Sequence, residues 1–221
     1  MLAPVPVELS EAARTTPMVP SNWSDLSTIT IGFGHGIAVT PLHLATAYAM
    51  LANGGLRVHP SIVASDVRPT EADRIISART SQEIREMLRQ VVVRGTAKGA
   101  DIPGYAVAGK TGTADKPLRH GGYARDKVIS TFASFFPVDK PRYVLVITLD
   151  EPVTYINKTA FRTAGLTAVP VAAKAIKRLA PVLGMRPDAP VETEEPHIRS
   201  CVQDGCRVTG AAEGGVDHES R

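Results

Sequence analysis

Residues 128–149 constrain the fold more than any other stretch. Val128 to Phe136 reads as one strand, and Tyr143 to Leu149 as a second, rich in β-branched residues. Between them Pro137-Val-Asp-Lys-Pro141 is a turn signal. A parallel crossover needs about a dozen residues or more, so strands joined this closely must be antiparallel. The doubly wound nucleotide-binding architecture, which needs a parallel sheet, is therefore disfavoured. The expected class is α+β, an antiparallel sheet packed by helices.

Three helices are expected around that sheet. Thr40-Pro41 opens the first, Thr as N-cap and Pro at the first helical position, with Leu44, Ala47, Tyr48 and Leu51 on one face. Asn53-Gly54-Gly55 stops it. Thr80-Ser-Gln-Glu83 reads as a capping box for the second, with Ile84, Met87, Leu88, Val91 and Val92 buried and Gly95 at its end. The third runs from about Thr167 to Val182, with Val169, Ala172, Ala173, Ile176, Leu179 and Ala180 inward. Ile31 to Val39, broken by three glycines, reads as extended. The expected organisation is an irregular N-terminal segment over 1–28, a folded body over 29–184 and a disordered tail over 185–221.

Composition removes several function classes. The formal charge of +3 is spread without a Lys/Arg run, and aromatics are 5% of the chain, so nucleic acid is not an expected partner. No apolar stretch approaches the roughly 18 residues a spanning helix needs. Met1 to Pro6 lacks the basic and apolar regions of a signal peptide. The only cysteines, Cys201 and Cys206, exclude a disulfide scaffold and, with His197, lack a fourth ligand for zinc. No metal and no cofactor are expected.

Lys110 carries two competing chemistries. Gly104-Tyr-Ala-Val-Ala-Gly109-Lys110-Thr111 satisfies the phosphate-loop pattern, and Val144 to Glu151 resembles its acidic partner strand. A phosphate loop needs an apolar strand before its first glycine and a helix starting at the lysine. Here Lys98 to Pro103 is a loop, the apolar residues lie between the glycines, and Thr111 to Pro117 is a poor helix start. The alternative is Lys110-Thr111-Gly112-Thr113 at a strand end. One ammonium and two hydroxyls can meet a carboxylate there, and a glycine lets the ligand approach the strand edge.

Context favours the second. Gly32-Phe-Gly-His-Gly-Ile-Ala-Val-Thr40-Pro41-Leu-His-Leu-Ala-Thr-Ala-Tyr48 through Asn53-Gly54-Gly55, then Val107-Ala-Gly-Lys-Thr-Gly-Thr-Ala114, Val128 to Pro137 and Pro141 to Ile147 stand in one order and spacing. In these the chain resembles the class B penicillin-binding proteins, the D,D-transpeptidases that cross-link peptidoglycan, most closely their division-specific septal branch. The resemblance covers about residues 25–185 and implies part of the transpeptidase fold shared with serine β-lactamases.

By resemblance, Lys110 holds the ligand carboxylate and tunes the proton relay. Thr111 and Thr113 bind that carboxylate, the Thr113 N–H is an oxyanion donor, and Gly112 keeps the strand edge open. Lys110 and Thr113 are thus the expected catalytic residues. The implied partners are peptidoglycan stem peptides, β-lactams and divisome membrane proteins, at the periplasmic face of the inner membrane. The sequence holds no S-x-x-K and no S-x-N, the family's other two motifs. Both are expected N-terminal to Met1, with the membrane anchor. Loss of a serine nucleophile costs on the order of 10⁶-fold in rate, so the chain alone is expected to be inactive. Its strands near Phe132 and Val146 are expected to expose an apolar face. A non-catalytic binding module of the same fold and a serine β-lactamase-like protein are the alternatives.

Five further residues receive modest roles. His35 reads as a turn or packing histidine and His120 as part of a solvated loop. Trp23 reads as a packing anchor, and Tyr155 and Asn157 as loop residues near the groove.

Overall fold

The structure, a computed structural model, describes residues 3–11, 15–64, 67–118 and 122–187. Its centre is a three-stranded antiparallel sheet of β1 (Ala108–Pro117), β2 (Tyr123–Phe136) and β3 (Tyr143–Asp150), in that spatial order. The expected hairpin is present, with Phe136 opposite Tyr143 and Ile129 opposite Asp150. A second, small hairpin joins β4 (Thr154–Ile156) to β5 (Thr159–Phe161).

Alternation along β2 supplies both faces of the sheet. Phe132 and Phe136 point to one side, where helix α4 (Ala168–Val182) buries Ala168, Val169, Ala172 and Ile176 against them. Ala133 and Phe135 point to the other, where Tyr48 and Ala52 of α2 (Pro41–Ala52) meet them. The Tyr48 and Phe135 ring centroids are 6.4 Å apart, and burial pushes the Tyr48 hydroxyl up to about 12. The expected open face near Phe132 and Val146 is thus not found. Phe132 is 0% exposed under α4, and Val146 is half-buried on the α2 side. Both covering helices lie in this chain, so the sheet is sandwiched.

Unpartnered apolar surface lies instead on α1 (Asp25–Gly32), none of whose residues is buried. Leu26 is 68% exposed, Ile29 64% and the adjoining Phe33 72%. This helix corrects two expectations, since it crosses the end of the segment read as irregular and enters the run read as extended. Its cause is local. Ser24 Oγ accepts the Ser27 N–H at 3.2 Å, and Ser27 Oγ accepts the Ser24 N–H at 3.3 Å, a reciprocal cap that the glycine pattern obscured. Trp23 is 52% exposed and donates from Nε1 to Thr28 Oγ1 at 2.8 Å, so it braces α1 and anchors no core.

The other helices stand close to expectation. Thr40 Oγ1 accepts the His43 N–H at 3.3 Å to start α2, whose buried residues are His43, Tyr48 and Ala52. α3 (Ala78–Val93) starts before the predicted box, because Ser77 Oγ accepts the Thr80 N–H at 3.0 Å. Met87 is exposed on it, and Ser81 is buried instead, donating to the Leu51 carbonyl at 2.7 Å. On α4, Leu179 is 42% exposed, and Met185 packs back with its N–H on the Ala180 carbonyl at 2.9 Å. Residues 188–221, most of the segment read as a tail, lie outside the described residues, with Cys201, Cys206 and His197.

Candidate functional site

Lys110-Thr111-Gly112-Thr113 lies inside β1, whose run continues to Pro117, and not at a strand end. Among the described residues β1 is an edge strand, pairing only with β2. Register sets Thr111 opposite Phe132 and Thr113 opposite Ser130, on the α4 side of the sheet. Lys110 opposite Ala133 and Gly112 opposite Thr131 face the α2 side. No strand leads into Gly104 and no helix begins at Lys110, so the phosphate-loop reading fails on both of its structural requirements.

The two glycines flanking Lys110 have opposite roles. A Cβ on Gly109 would stand 2.5 Å from the Ala133 carbonyl oxygen and 2.9 Å from Phe132 Cζ, so only glycine fits that close passage. A Cβ on Gly112 would meet nothing within 4 Å. The first glycine seats the strand, and the second leaves its surroundings open.

Each polar side chain of the segment is held differently. Lys110 is exposed and donates from Nζ to the Thr111 carbonyl at 2.8 Å, a bond an incoming anion can replace. Thr113 Oγ1 accepts the Ala164 N–H at 3.0 Å, from the segment leading into α4. Thr111 Oγ1 lies 2.7 Å from Thr96 Oγ1, just past the end of α3. Thr96 and Ala164 were not found from sequence. Gly95-Thr96 showed only a helix stop, and nothing local linked either residue to β1.

Arg89 of α3 fastens the entry to β1, donating to the Val107 carbonyl at 3.0 Å and pairing with Asp101 at 2.9 Å. At the far end, Lys116 Nζ contacts Asp150 at 2.9 Å and Glu151 at 2.8 Å, and Lys127 reaches Glu151 at 3.1 Å. Hydrogen bonds from Lys116 and Lys127 hold the Glu151 carboxyl below the usual carboxylate range. Its hydrogen bonds to Glu151 and Asp150 raise Lys116 above the usual lysine value. The acids of the apparent partner strand are thus engaged by lysines at the sheet's end.

The remaining residues fall outside this cluster. The His35 ring lies 5.7 Å from that of Tyr123 at the start of β2, a packing contact. His120 lies outside the described residues. Tyr155 is 71% exposed and lies in strand β4, not in a loop, whereas Asn157 lies with Lys158 in the turn of the small hairpin, at φ 49° and 66°. A concavity of about 1100 Å³, lined by Glu8, His59, Arg68 and Asp73 among others, includes none of residues 110–113. Among the described residues, no group of three or more His, Cys, Asp or Glu could hold a metal, and no helix is long and apolar enough to cross a membrane.

Comparison with known proteins agrees with this fold. Residues 5–176 match the penicillin binding protein transpeptidase domain. The chain is 39% identical over 196 residues to a probable peptidoglycan D,D-transpeptidase FtsI of Caulobacter vibrioides, covering 83% of this chain and 32% of that protein. It spans about a third or less of the length of such relatives. The transpeptidase domain of Burkholderia pseudomallei penicillin-binding protein 3 superposes with a TM-score of 0.72 at 31% identity, over 84% of this chain and 55% of that one. Penicillin-binding protein 3 of Mycobacterium tuberculosis, solved with ampicillin, superposes with a TM-score of 0.67 at 32% identity, over 81% of this chain and 43% of that one. The helix-backed antiparallel sheet with Lys110 on its edge strand is therefore a partial transpeptidase region, and the chain belongs to the penicillin-binding protein transpeptidase domain family.

Proposed function

We propose that this chain supplies one wall of a peptidoglycan D,D-transpeptidase site acting in septal cell-wall synthesis, with Lys110, Thr111, Gly112 and Thr113 as its ligand-binding edge. The observation that carries the reading is one edge strand that carries the exposed Lys110 ammonium and an unobstructed Gly112 on its α2 side and the Thr111 and Thr113 hydroxyls on its α4 side, so that a ligand lying along the open edge is within reach of both. A stem peptide ending in D-Ala, or a β-lactam, brings a carboxylate that this cation and these hydroxyls can meet with charge-assisted hydrogen bonds.

In the reaction, a serine oxygen attacks the penultimate D-Ala carbonyl. The peptide bond breaks, D-Ala leaves with a proton on its amine, and an acyl-enzyme ester remains. The amine of a neighbouring strand then displaces the serine, forming the cross-link and returning the proton. Lys110 anchors the carboxylate and polarises the relay, and the Thr113 N–H stabilises the oxyanion. The sequence holds no S-x-x-K, so in this reading the serine comes from a segment other than those described. Periplasmic placement beside divisome membrane proteins belongs to the same proposal.

The test is carboxylate-dependent binding to the full chain. Backbone amide shifts of residues 110–113 are followed by NMR during titration with an acylated D-Ala-D-Ala dipeptide and with its C-terminal amide. Saturable shifts with the acid alone, lost in Lys110→Ala, support the reading. Equal response to acid and amide, or an unaffected Lys110→Ala, sinks it.

A further inference from the structure

We infer that Thr96 is a positioning residue for the candidate site, acting through the Thr111 hydroxyl. The inference rests on the reading that residues 110–113 bind a ligand carboxylate. Thr96 Oγ1 and Thr111 Oγ1 are 2.7 Å apart, an ordinary separation for a hydrogen-bonded hydroxyl pair, with one proton between them. Either oxygen can be its donor. A carboxylate accepts only, so a Thr111 that serves it must turn its own O–H outward. Thr96 then donates to Thr111, and the Thr111 O–H donates to the ligand. A donor that itself accepts a hydrogen bond is strengthened by polarisation along the chain.

Thr113 has the same arrangement from a different source. Its oxygen accepts the Ala164 N–H at 3.0 Å, which leaves its O–H to be donated. Both threonines of the segment therefore receive a hydrogen bond from behind the strand and are set as donors toward a ligand.

The two supports are packed together. A Cβ on Gly165 would stand 2.7 Å from the Thr96 carbonyl oxygen, so the segment through Ala164 and Gly165 lies directly against Thr96. Gly95 is equally confined, its Cβ position being 2.8 Å from the Val91 carbonyl oxygen, and the Ala97 N–H bonds that same carbonyl at 3.2 Å. The backbone at 95–97 is thereby fixed by α3 on one side and by the entry to α4 on the other. A threonine held this firmly loses little further freedom when its hydroxyl orders Thr111.

The experiment uses the full chain, the acylated D-Ala-D-Ala acid as probe and amide shifts as readout, with the thermal midpoint of each variant. Thr96→Val should weaken binding roughly three- to tenfold, the effect of one hydrogen bond, and Thr96→Ser should restore it. In a Thr111→Val background, Thr96→Val should weaken binding no further, because its route to the ligand is gone. Thr96→Ala gives a second reading of hydroxyl loss should the valine disturb the fold. Unchanged affinity in both hydroxyl-less variants overturns the inference, as does an equal loss in the Thr111→Val background. If the wild-type chain binds and Lys110→Ala does not, such a failure concerns Thr96 alone. If the wild-type chain shows no carboxylate-dependent binding, the functional reading fails and the role of Thr96 falls with it.

Discussion

The hydroxyl of Thr113 accepts the backbone N–H of Ala164 at 3.0 Å, tying the edge strand to the segment that enters α4. Ala164 is 0% exposed, so its amide has no water to replace a lost partner. Thr113→Val keeps the shape of the side chain and removes the acceptor. It should cost about 1–3 kcal/mol, the penalty for an unsatisfied buried donor, and Thr113→Ser should recover most of it. Urea denaturation of the three proteins measures this without any ligand. An undiminished midpoint in Thr113→Val would mean that the amide finds another acceptor.

The glycines around Lys110 should separate folding from binding. Gly109→Ala places a methyl group 2.5 Å from the Ala133 carbonyl oxygen, within the β1–β2 ladder where neither backbone can retreat, and should cost about 1–3 kcal/mol. Gly112→Ala enters open space and should leave stability within about 0.5 kcal/mol. If the strand edge takes the ligand main chain, the same alanine weakens acyl-D-Ala-D-Ala binding. Thermal melts and the NMR titration, run on both variants, should therefore give opposite patterns.

The elements legible in the sequence are those whose signals are local. The Pro137–Pro141 turn and the β-branched strand after it forced the antiparallel hairpin, and Thr40-Pro41 marked the start of α2. The start of α3 was misplaced because Ser77 competes with Thr80 as cap, and only the observed Ser77–Thr80 bond decides between them. α1 was missed because the glycines after it outweighed a serine pair. The lysine and threonines of the site were legible as residue types at a spacing. Their supports were not, since Thr96 and Ala164 lie 15 and 51 positions from the threonines they hold. Such contacts exist only once the fold has formed.

Burial within the sandwich should govern the cost of truncation more than hydrophobicity does. Phe132 and Ile176 are both 0% exposed and belong to the same core between the sheet and α4, so Phe132→Ala or Ile176→Ala should cost about 3–5 kcal/mol or 2–5 kcal/mol. Leu26→Ala on α1 removes a side chain that is 68% exposed and should stay within about 0.5 kcal/mol. The midpoints from chemical denaturation order the three. A Leu26→Ala cost comparable to the core variants would show that α1 is covered in solution, by another copy or another segment.

The ion cluster at the end of the sheet predicts how stability bends with pH. The Glu151 carboxyl titrates below its ordinary value because Lys116 and Lys127 bond its charged form. A depressed acid adds stability above its unfolded value of about 4.5, and that stability is lost as pH falls through the lower folded value. Glu151→Gln should therefore lower stability at neutral pH and flatten the decline below about pH 4.5, the two proteins converging in acid. On the alkaline side the raised Lys116 works in reverse, its contribution fading as pH rises through a folded value above 10.5. Tyr48 adds to that limb, because burial raises its hydroxyl from 10.0 to about 12 and ionisation favours the unfolded chain between those values. Tyr48→Phe should remove the tyrosine part and leave the lysine part. Denaturation midpoints collected from pH 3 to 11 resolve the three proteins, and parallel acid limbs for wild type and Glu151→Gln would remove Glu151 from the account.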